Sequence, residues 1–275
     1  MGHYITVEKD VNVYVEDVNP EGQETILFIH GWPANHKMFE YQFIQLARLG
    51  YRCIGMDCRG FGESDKPWEG YCYDRMADDI LCVVKALRLQ HITLGGHSTG
   101  GAIAIRYMAR HSGYGVSRLA LFAAAAPSLI QRPYFPYGLN KDDVLNIIKE
   151  TYTDRPKMLQ GFGDMFFFQY ITKPFSDWFF QLGLQAANWA TAAVAAAWLD
   201  EERLFSDLGK INVPTLILHG IHDKVCRFPL AEAQKEGIKH SKLVPFRFSG
   251  HGLLFDERDK FTKELAEFIE ECNFL

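Results

Sequence analysis

The sequence has no run of basic residues that could bind a phosphate backbone or an anionic membrane surface. Its 275 residues include 29 Lys and Arg against 34 Asp and Glu, which gives a formal net charge of −5. Attraction to nucleic acids or anionic lipids requires clustered positive charge. We therefore predict no nucleic-acid partner and no membrane partner, and expect a small-molecule substrate. Assembly into a homo-oligomer is left open.

Paired cysteines and an apolar leader are also missing. The six cysteines stand at positions 53, 58, 72, 82, 226 and 272, with no C-x-x-C pair and no His-rich spacing beside them. Zinc sites need such spacing, so we predict no metal site and reduced thiols in a cytoplasmic protein. Near the start of the chain, Glu8, Lys9 and Asp10 interrupt any apolar run, so no signal peptide is predicted.

Hydrophobic periodicity predicts an α/β fold. Tyr4–Val7 and Val11–Val15 alternate apolar and polar residues around a turn, which is typical of an antiparallel edge hairpin. The later strand patterns are short apolar runs that alternate with helical patterns, as in a mostly parallel central sheet with helices on both faces. These strands are predicted at Ile26–Ile29, Arg52–Asp57, His91–Leu94, Arg118–Phe122, Pro214–His219 and Lys242–Phe248.

The alternation of strands and helices stops after Pro127 and returns after Phe205. In between, aromatic residues are dense from Phe162 to Phe180, and the alanine-rich run Ala186–Trp198 favours a helix. Charged residues interrupt the aromatic stretch, so it does not fit a membrane span. We predict an inserted helical cap over residues 128–205 and a core domain that comprises residues 1–127 and 206–275.

The central motif is Gly96-His97-Ser98-Thr99-Gly100, a G-x-S-x-G pattern between a predicted strand and a predicted helix. A serine at such a hinge lies in a tight, strained turn where bulky side chains two residues away would collide. The turn exposes the Ser98 hydroxyl and places the Thr99 N–H at a helix N-terminus, where it can stabilise an oxyanion. Ser98 is therefore the predicted nucleophile.

A serine nucleophile needs a base, and the base needs an acid that orients it. His251 follows the last predicted strand between two glycines, and Asp223 follows the preceding strand. Both stand at carboxyl ends of parallel strands, where ligands of such sheets bind. We predict that Asp223 and His251 complete a triad with Ser98. Four rivals are expected to be structural or loop residues, or out of order with the triad: His97, His219, His222 and Asp256. His97 stands beside Ser98 but is expected to point to the other side of the turn and to serve packing.

A second oxyanion donor is expected from the loop after the first central strand, which reads His30-Gly31-Trp32-Pro33. Pro33 has no N–H, so Trp32 is the nearest backbone donor after Gly31. The alternative interpretation is that His30 and Gly31 only connect the strand to the next element and have no role in catalysis.

These motifs resemble the α/β-hydrolase superfamily over nearly the whole chain. Within it, the sequence is similar to the cofactor-free bacterial haloperoxidase, arylesterase and perhydrolase group. The resemblance implies the triad Ser98, Asp223 and His251, with oxyanion N–H groups from Trp32 and Thr99. Two features depart from it, because Ile221 stands where relatives often carry an acidic residue and the cap sequence is individual. The motifs that carry the resemblance are His30–Pro33, Met56–Asp65, Gly96–Gly101, Pro214–Gly220 with Asp223, and Gly250–Gly252.

The function expected from this site is a serine hydrolase that acts on small carboxylic esters or lactones without cofactor or metal. Trp32, Phe166, Phe167 and Trp189 are the predicted walls of an apolar substrate pocket. One alternative is a metal-free haloperoxidase or perhydrolase, in which peroxide attacks the same acyl-enzyme and forms a peracid. A second alternative is a non-catalytic receptor that binds a small ligand in the capped pocket.

Overall fold

Eight strands form a single sheet in the computed structural model, which describes residues 1–272. Their order across the sheet is β1-β2-β4-β3-β5-β6-β7-β8. β1 and β2 pair antiparallel, β2 joins β4 antiparallel, and the remaining neighbours are parallel, which confirms the predicted mostly parallel sheet. The strands are β1 Gly2–Glu8, β2 Val11–Val18, β3 Thr25–Ile29, β4 Arg52–Met56, β5 Ile92–His97, β6 Val116–Phe122, β7 Thr215–Gly220 and β8 Ser241–Phe246.

Two groups of helices cover the sheet. α2 and α3 pack on each other, and α3 lies on β5 and β6, whereas α1 and α11 form the second group beside β4, β6 and β7. The helices are α1 Glu40–Arg48, α2 Tyr73–Ala86, α3 Thr99–Arg110, α4 Lys141–Thr153, α5 Arg155–Phe166, α6 Lys173–Leu184, α7 Asn188–Asp200, α8 Leu204–Leu208, α9 Pro229–Gly237, α10 Leu253–Asp256 and α11 Arg258–Cys272.

The predicted end of the fifth strand is wrong by three residues. The sequence pattern ends this strand at Leu94, but β5 continues through Gly95 and Gly96 to His97. These three residues keep parallel register with Ala120, Leu121 and Phe122 of β6. Pairing with a neighbouring strand overrides the low strand propensity of glycine. As a result, β5 carries the chain to the residue before Ser98.

Five helices, α4 to α8, lie between β6 and β7. We call residues 128–205 the cap segment. Within it, α4 packs on α7 and α5 packs on α6. The short helix α8 extends beyond the segment to Leu208 and contacts α3 of the sheet layer. No helix within residues 1–272 is long and apolar enough to cross a membrane.

A buried ion pair fixes the loop after β4 to α2. Nε and Nη2 of Arg59 donate to the two carboxylate oxygens of Asp79 at 2.6 and 2.8 Å. The Arg59 side chain is 1% exposed and that of Asp79 is fully buried. Glu8 and Arg75 add further contacts to the pair, at 3.0 and 2.9 Å. Since both charges are shielded from water, each depends on these ion pairs for compensation.

Replacing Asp79 with Ala is expected to lower the free energy of unfolding by about 3–5 kcal/mol, because the Arg59 guanidinium stays buried after losing its bidentate partner. Asp78 provides a matched control, since it precedes Asp79 on α2 but its side chain is 26% exposed. It pairs with Arg110 and His111 near the surface. Asp78→Ala should cost about 1 kcal/mol or less. Urea unfolding of both variants measures the difference, and equal losses would contradict this prediction.

Candidate active site

Ser98 occupies a one-residue turn between β5 and α3. Its φ of 53° and ψ of −121° lie in a region that side-chain-bearing residues rarely adopt. A Cβ atom at Gly96 would lie 2.5 Å from the carbonyl oxygen of Gly100, and one at Gly100 would lie 2.4 Å from that of His30. Both glycines are therefore required by close backbone packing, as the sequence motif predicts.

Asp223 and His251 form a buried pair beside this turn. Nδ1 of His251 lies 2.8 Å from Oδ2 of Asp223, and both side chains are fully shielded from solvent. The other carboxylate oxygen of Asp223 accepts hydrogen bonds from the N–H groups of Val225 and Cys226, both at 2.8 Å. The carboxylate is thus fixed in direction as well as in position.

The pKa of Asp223 is lowered. Burial by itself raises the pKa of this carboxyl group, but the charge of His251 and hydrogen bonds from His219 and His251 outweigh burial. Asp223 therefore stays ionised and accepts the Nδ1–H of His251, which leaves Nε2 of His251 as the basic nitrogen. Within the described residues, Nε2 is buried and has no hydrogen-bond partner.

The Ser98 hydroxyl faces Cys226 in this structure, with Oγ 3.9 Å from Sγ. Because the N–H of Cys226 also binds Asp223, the predicted nucleophile and the predicted acid contact the same residue. Burial raises the pKa of the Cys226 thiol well above its usual value, so this sulfur is a neutral neighbour of Ser98. No sequence motif marks Cys226 as a neighbour of the predicted nucleophile.

His97 lies against His251 and not on the far side of the turn as predicted. The two rings are 4.7 Å apart between centroids, and Nε2 of His97 donates to the carbonyl oxygen of His251 at 3.0 Å. Burial and the charge of His251 lower the pKa of His97 to about 3, so it is neutral. Because β5 continues to His97, the direction of this side chain follows the alternation of the strand.

The other rival side chains have separate partners. Nε2 of His219 lies 2.6 Å from the carbonyl oxygen of Cys226 and 3.4 Å from Oδ2 of Asp223. His219 therefore supports the loop that carries Asp223. His222 stacks on the ring of Phe168 at 3.9 Å between ring centroids.

His30 joins two loops that follow strands. The N–H of Cys58 donates to Nε2 of His30 at 2.9 Å, and this hydrogen bond links the loop after β4 to the loop after β3.

A cavity of about 350 Å³ opens above Ser98, between the sheet edge and the cap segment. Trp32 and Thr99 line it beside Ser98, and the indole N–H of Trp32 donates to the carbonyl of Thr191 at 2.9 Å. Apolar side chains dominate the remaining wall, and four charged or amide groups join them. The other lining residues are Leu129, Leu139, Asp143, Asn146, Ile147, Glu150, Phe162, Met165, Trp198, Lys224 and Val225.

Three of the four predicted pocket walls lie elsewhere. Phe166 is buried with its ring edge-on to His251, at 5.0 Å between centroids. Phe167 lines a smaller neighbouring cavity, and Trp189 donates to the carbonyl of Pro67 at 2.8 Å. The prediction chose aromatic residues by their density in the sequence, whereas much of the wall comes from one face of α4. The spacing of Asp143, Asn146, Ile147 and Glu150 is the sequence signal that marks this face.

Among the side chains that the structure describes, no group of three or more His, Cys, Asp or Glu is arranged to hold a metal ion.

Comparison with known proteins gives matches over nearly the whole chain. The profile of the family described as alpha/beta hydrolase fold matches residues 24–258. The AB hydrolase superfamily protein YisY from Bacillus subtilis is 48% identical, covering 98% of this chain and 99% of its own length. The bifunctional esterase/perhydrolase DCH from Acinetobacter calcoaceticus is 30% identical, covering 97% and 99%.

A solved structure agrees with these sequence matches. The esterase EaEST from Exiguobacterium antarcticum superposes with a TM-score of 0.95 at 45% identity, covering 98% of this chain and 100% of that chain. Sequence and structure thus match from the edge hairpin through the loop that carries His251, and this chain belongs to the α/β-hydrolase family.

Proposed function

We propose that the protein is a serine hydrolase that cleaves small carboxylic esters or lactones through an acyl-enzyme on Ser98. The observation that carries this proposal is the buried Asp223–His251 pair, 2.8 Å apart, beside a strained serine at the base of a cavity. Similarity to an esterase of known structure over nearly the whole chain supports it.

In the first step, rotation about the Cα–Cβ bond of Ser98 moves its hydroxyl from Cys226 toward Nε2 of His251. Catalytic hydrogen bonds of this kind are often loose until substrate is bound. His251 takes the hydroxyl proton as Oγ attacks the ester carbonyl, and Asp223 stabilises the resulting imidazolium. His251 then passes the proton to the leaving alkoxide, and the acyl group remains on Ser98.

Deacylation repeats this chemistry with water. His251 removes a proton from water, hydroxide attacks the acyl carbon, and the Ser98–acyl bond breaks as Oγ recovers its proton. The N–H of Thr99, the first residue of α3, has no intrahelical acceptor and can donate to the oxyanion. The Trp32 N–H is the proposed second donor, because a Cβ at the preceding Gly31 would lie only 3.0 Å from Cβ of Ser98.

A second candidate is perhydrolysis, favoured by the similarity to a relative named as a bifunctional esterase/perhydrolase. Hydrogen peroxide would replace water in deacylation, so that the acyl group leaves as a peracid. The triad performs the same proton transfers in both reactions. Assays of acyl esters with and without hydrogen peroxide, with the peracid detected by halide oxidation, separate the two activities.

Ser98→Ala is expected to reduce kcat on p-nitrophenyl acetate by several orders of magnitude, because the acyl-enzyme cannot form. Ser206→Ala, on an exposed position of α8, is the matched control and should keep the wild-type rate. Near-normal turnover by folded Ser98→Ala would exclude the serine mechanism. Absence of turnover in the wild type, together with binding of small apolar ligands, would favour the receptor alternative.

Asp223→Asn is expected to lower kcat about 10⁴-fold while the protein stays folded, since the imidazole loses both its tautomer preference and its charge partner. Steady-state kinetics and circular dichroism together check this. An almost silent substitution would mean that another carboxylate orients His251.

Phe162 is expected to set the accepted acyl length, because it lines the cavity above Ser98 and also a smaller cavity of about 170 Å³ between α5 and α6. Phe162→Ala joins the two spaces and should shift kcat/KM toward octanoate over acetate esters about ten- to two-hundred-fold. Phe179→Ala removes a ring that lines the smaller cavity but not the cavity above Ser98. It should lower the free energy of unfolding by ~3–5 kcal/mol without changing the order of preference among the esters. An unchanged order in both variants would contradict this role.

A further inference from the structure

The loop that carries His251 packs directly against backbone of the cap segment. The N–H of Gly252 donates to the carbonyl oxygen of Phe166 at 2.8 Å. A Cβ at Gly250 would lie 3.1 Å from that same oxygen, and one at Gly252 would lie 2.8 Å from the rings of Phe166 and Phe167. The glycines on both sides of His251 therefore make room for the cap.

One carboxylate joins the two segments at this contact. Oδ2 of Asp256 accepts from the N–H of Gly250 at 2.8 Å and from the N–H of Phe168 at 3.0 Å. Oδ1 accepts from the N–H of Gln169, also at 3.0 Å. Asp256 thus holds the residue before His251 and two consecutive residues of the connection between α5 and α6. Hydrogen bonds from N–H groups to a carboxylate are stronger than those to a neutral acceptor.

The adjacent Glu257 binds two residues of the same loop, Phe248 and Ser249. Its Oε2 accepts from the N–H of Phe248 at 2.9 Å and from the hydroxyl of Ser249 at 2.7 Å. A further contact between cap and loop is the side-chain amide of Gln169, which donates to the carbonyl of Phe248 at 2.9 Å. Of these side chains, only Asp256 binds both the cap backbone and the residue next to His251.

His251 is consequently held at separate points. Asp223 fixes its ring at Nδ1, and His97 holds its carbonyl oxygen. Asp256 holds the N–H of Gly250, the residue before it. A general base must be placed within a fraction of an ångström of the proton that it removes. We expect the loss of the contact between Asp256 and Gly250 to let the imidazole shift relative to Ser98.

We propose that Asp256 is a positioning residue. It fixes the position of His251 relative to Ser98 and holds the cap segment against the loop that carries His251. This inference rests on the proposed serine-hydrolase function. A cap movement that pulls residues 166–169 away from the sheet would break the hydrogen bonds of Asp256 to Phe168 and Gln169.

The test compares Asp256→Ala and Asp256→Asn with wild type on p-nitrophenyl acetate. We expect Asp256→Ala to lower kcat about 10- to 100-fold with less than about a threefold change in KM, since misplacement of a catalytic group by about 1 Å costs rates of this size. Asp256→Asn retains one carbonyl oxygen and should lose less. Gln169→Ala removes only the contact with Phe248 and is the control, expected to keep kcat within about twofold of wild type.

Amide hydrogen exchange provides a measurement that does not depend on activity. In Asp256→Ala, exchange should accelerate together in peptides that cover residues 164–172 and 248–256. Unchanged kcat in Asp256→Ala, an equal kcat loss in Gln169→Ala, or faster exchange in only one of the two peptides would overturn the inference. If wild type hydrolysed no ester, the proposed function would fail, and the exchange result would still decide whether Asp256 joins the two segments.

Discussion

Close backbone packing around Ser98 is the constraint on which the site depends. The turn presses α3 against the end of β3 so tightly that a Cβ at Gly100 would lie 2.4 Å from the carbonyl oxygen of Ile29. This contact holds the strained φ of Ser98 and sets the N-terminus of α3 beside the nucleophile. A side chain at Gly100 would force helix and strand apart, and the hydroxyl and the oxyanion donor would move with them.

Three buried or half-buried aspartates hold loops of this fold in place through hydrogen bonds and ion pairs. Each accepts hydrogen bonds from backbone N–H groups or from a cationic side chain. Asp223 accepts two N–H groups and the imidazole of His251, Asp256 accepts three N–H groups, and Asp79 pairs with Arg59. Fixed loops at the carboxyl ends of parallel strands allow distant parts of the sequence to form one preorganised site.

The sequence predicted the parts of the site that depend on local backbone geometry. The glycines around Ser98 are required by steric contact, and the chain order of Ser98, Asp223 and His251 follows the strand order. Burial on both faces produces the apolar runs that mark the central strands. The prediction failed where contacts are non-local: β5 extends to His97 through pairing with β6, and His97 contacts His251 instead of pointing away.

By itself, then, the sequence determined the α/β fold, the strained serine turn and the residue types able to form a triad, because each leaves a short-range pattern. Only the tertiary structure decided which cap residues face the cavity. Aromatic residues are dense on several cap helices, and their number does not reveal which face of a helix meets Ser98. The structure buries Phe166 behind His251 and brings Phe162 to the cavity wall, since packing between helices and sheet selects one face of each element. The role of Asp256 depends on the same packing, because its three N–H partners lie in two segments that are far apart in the chain.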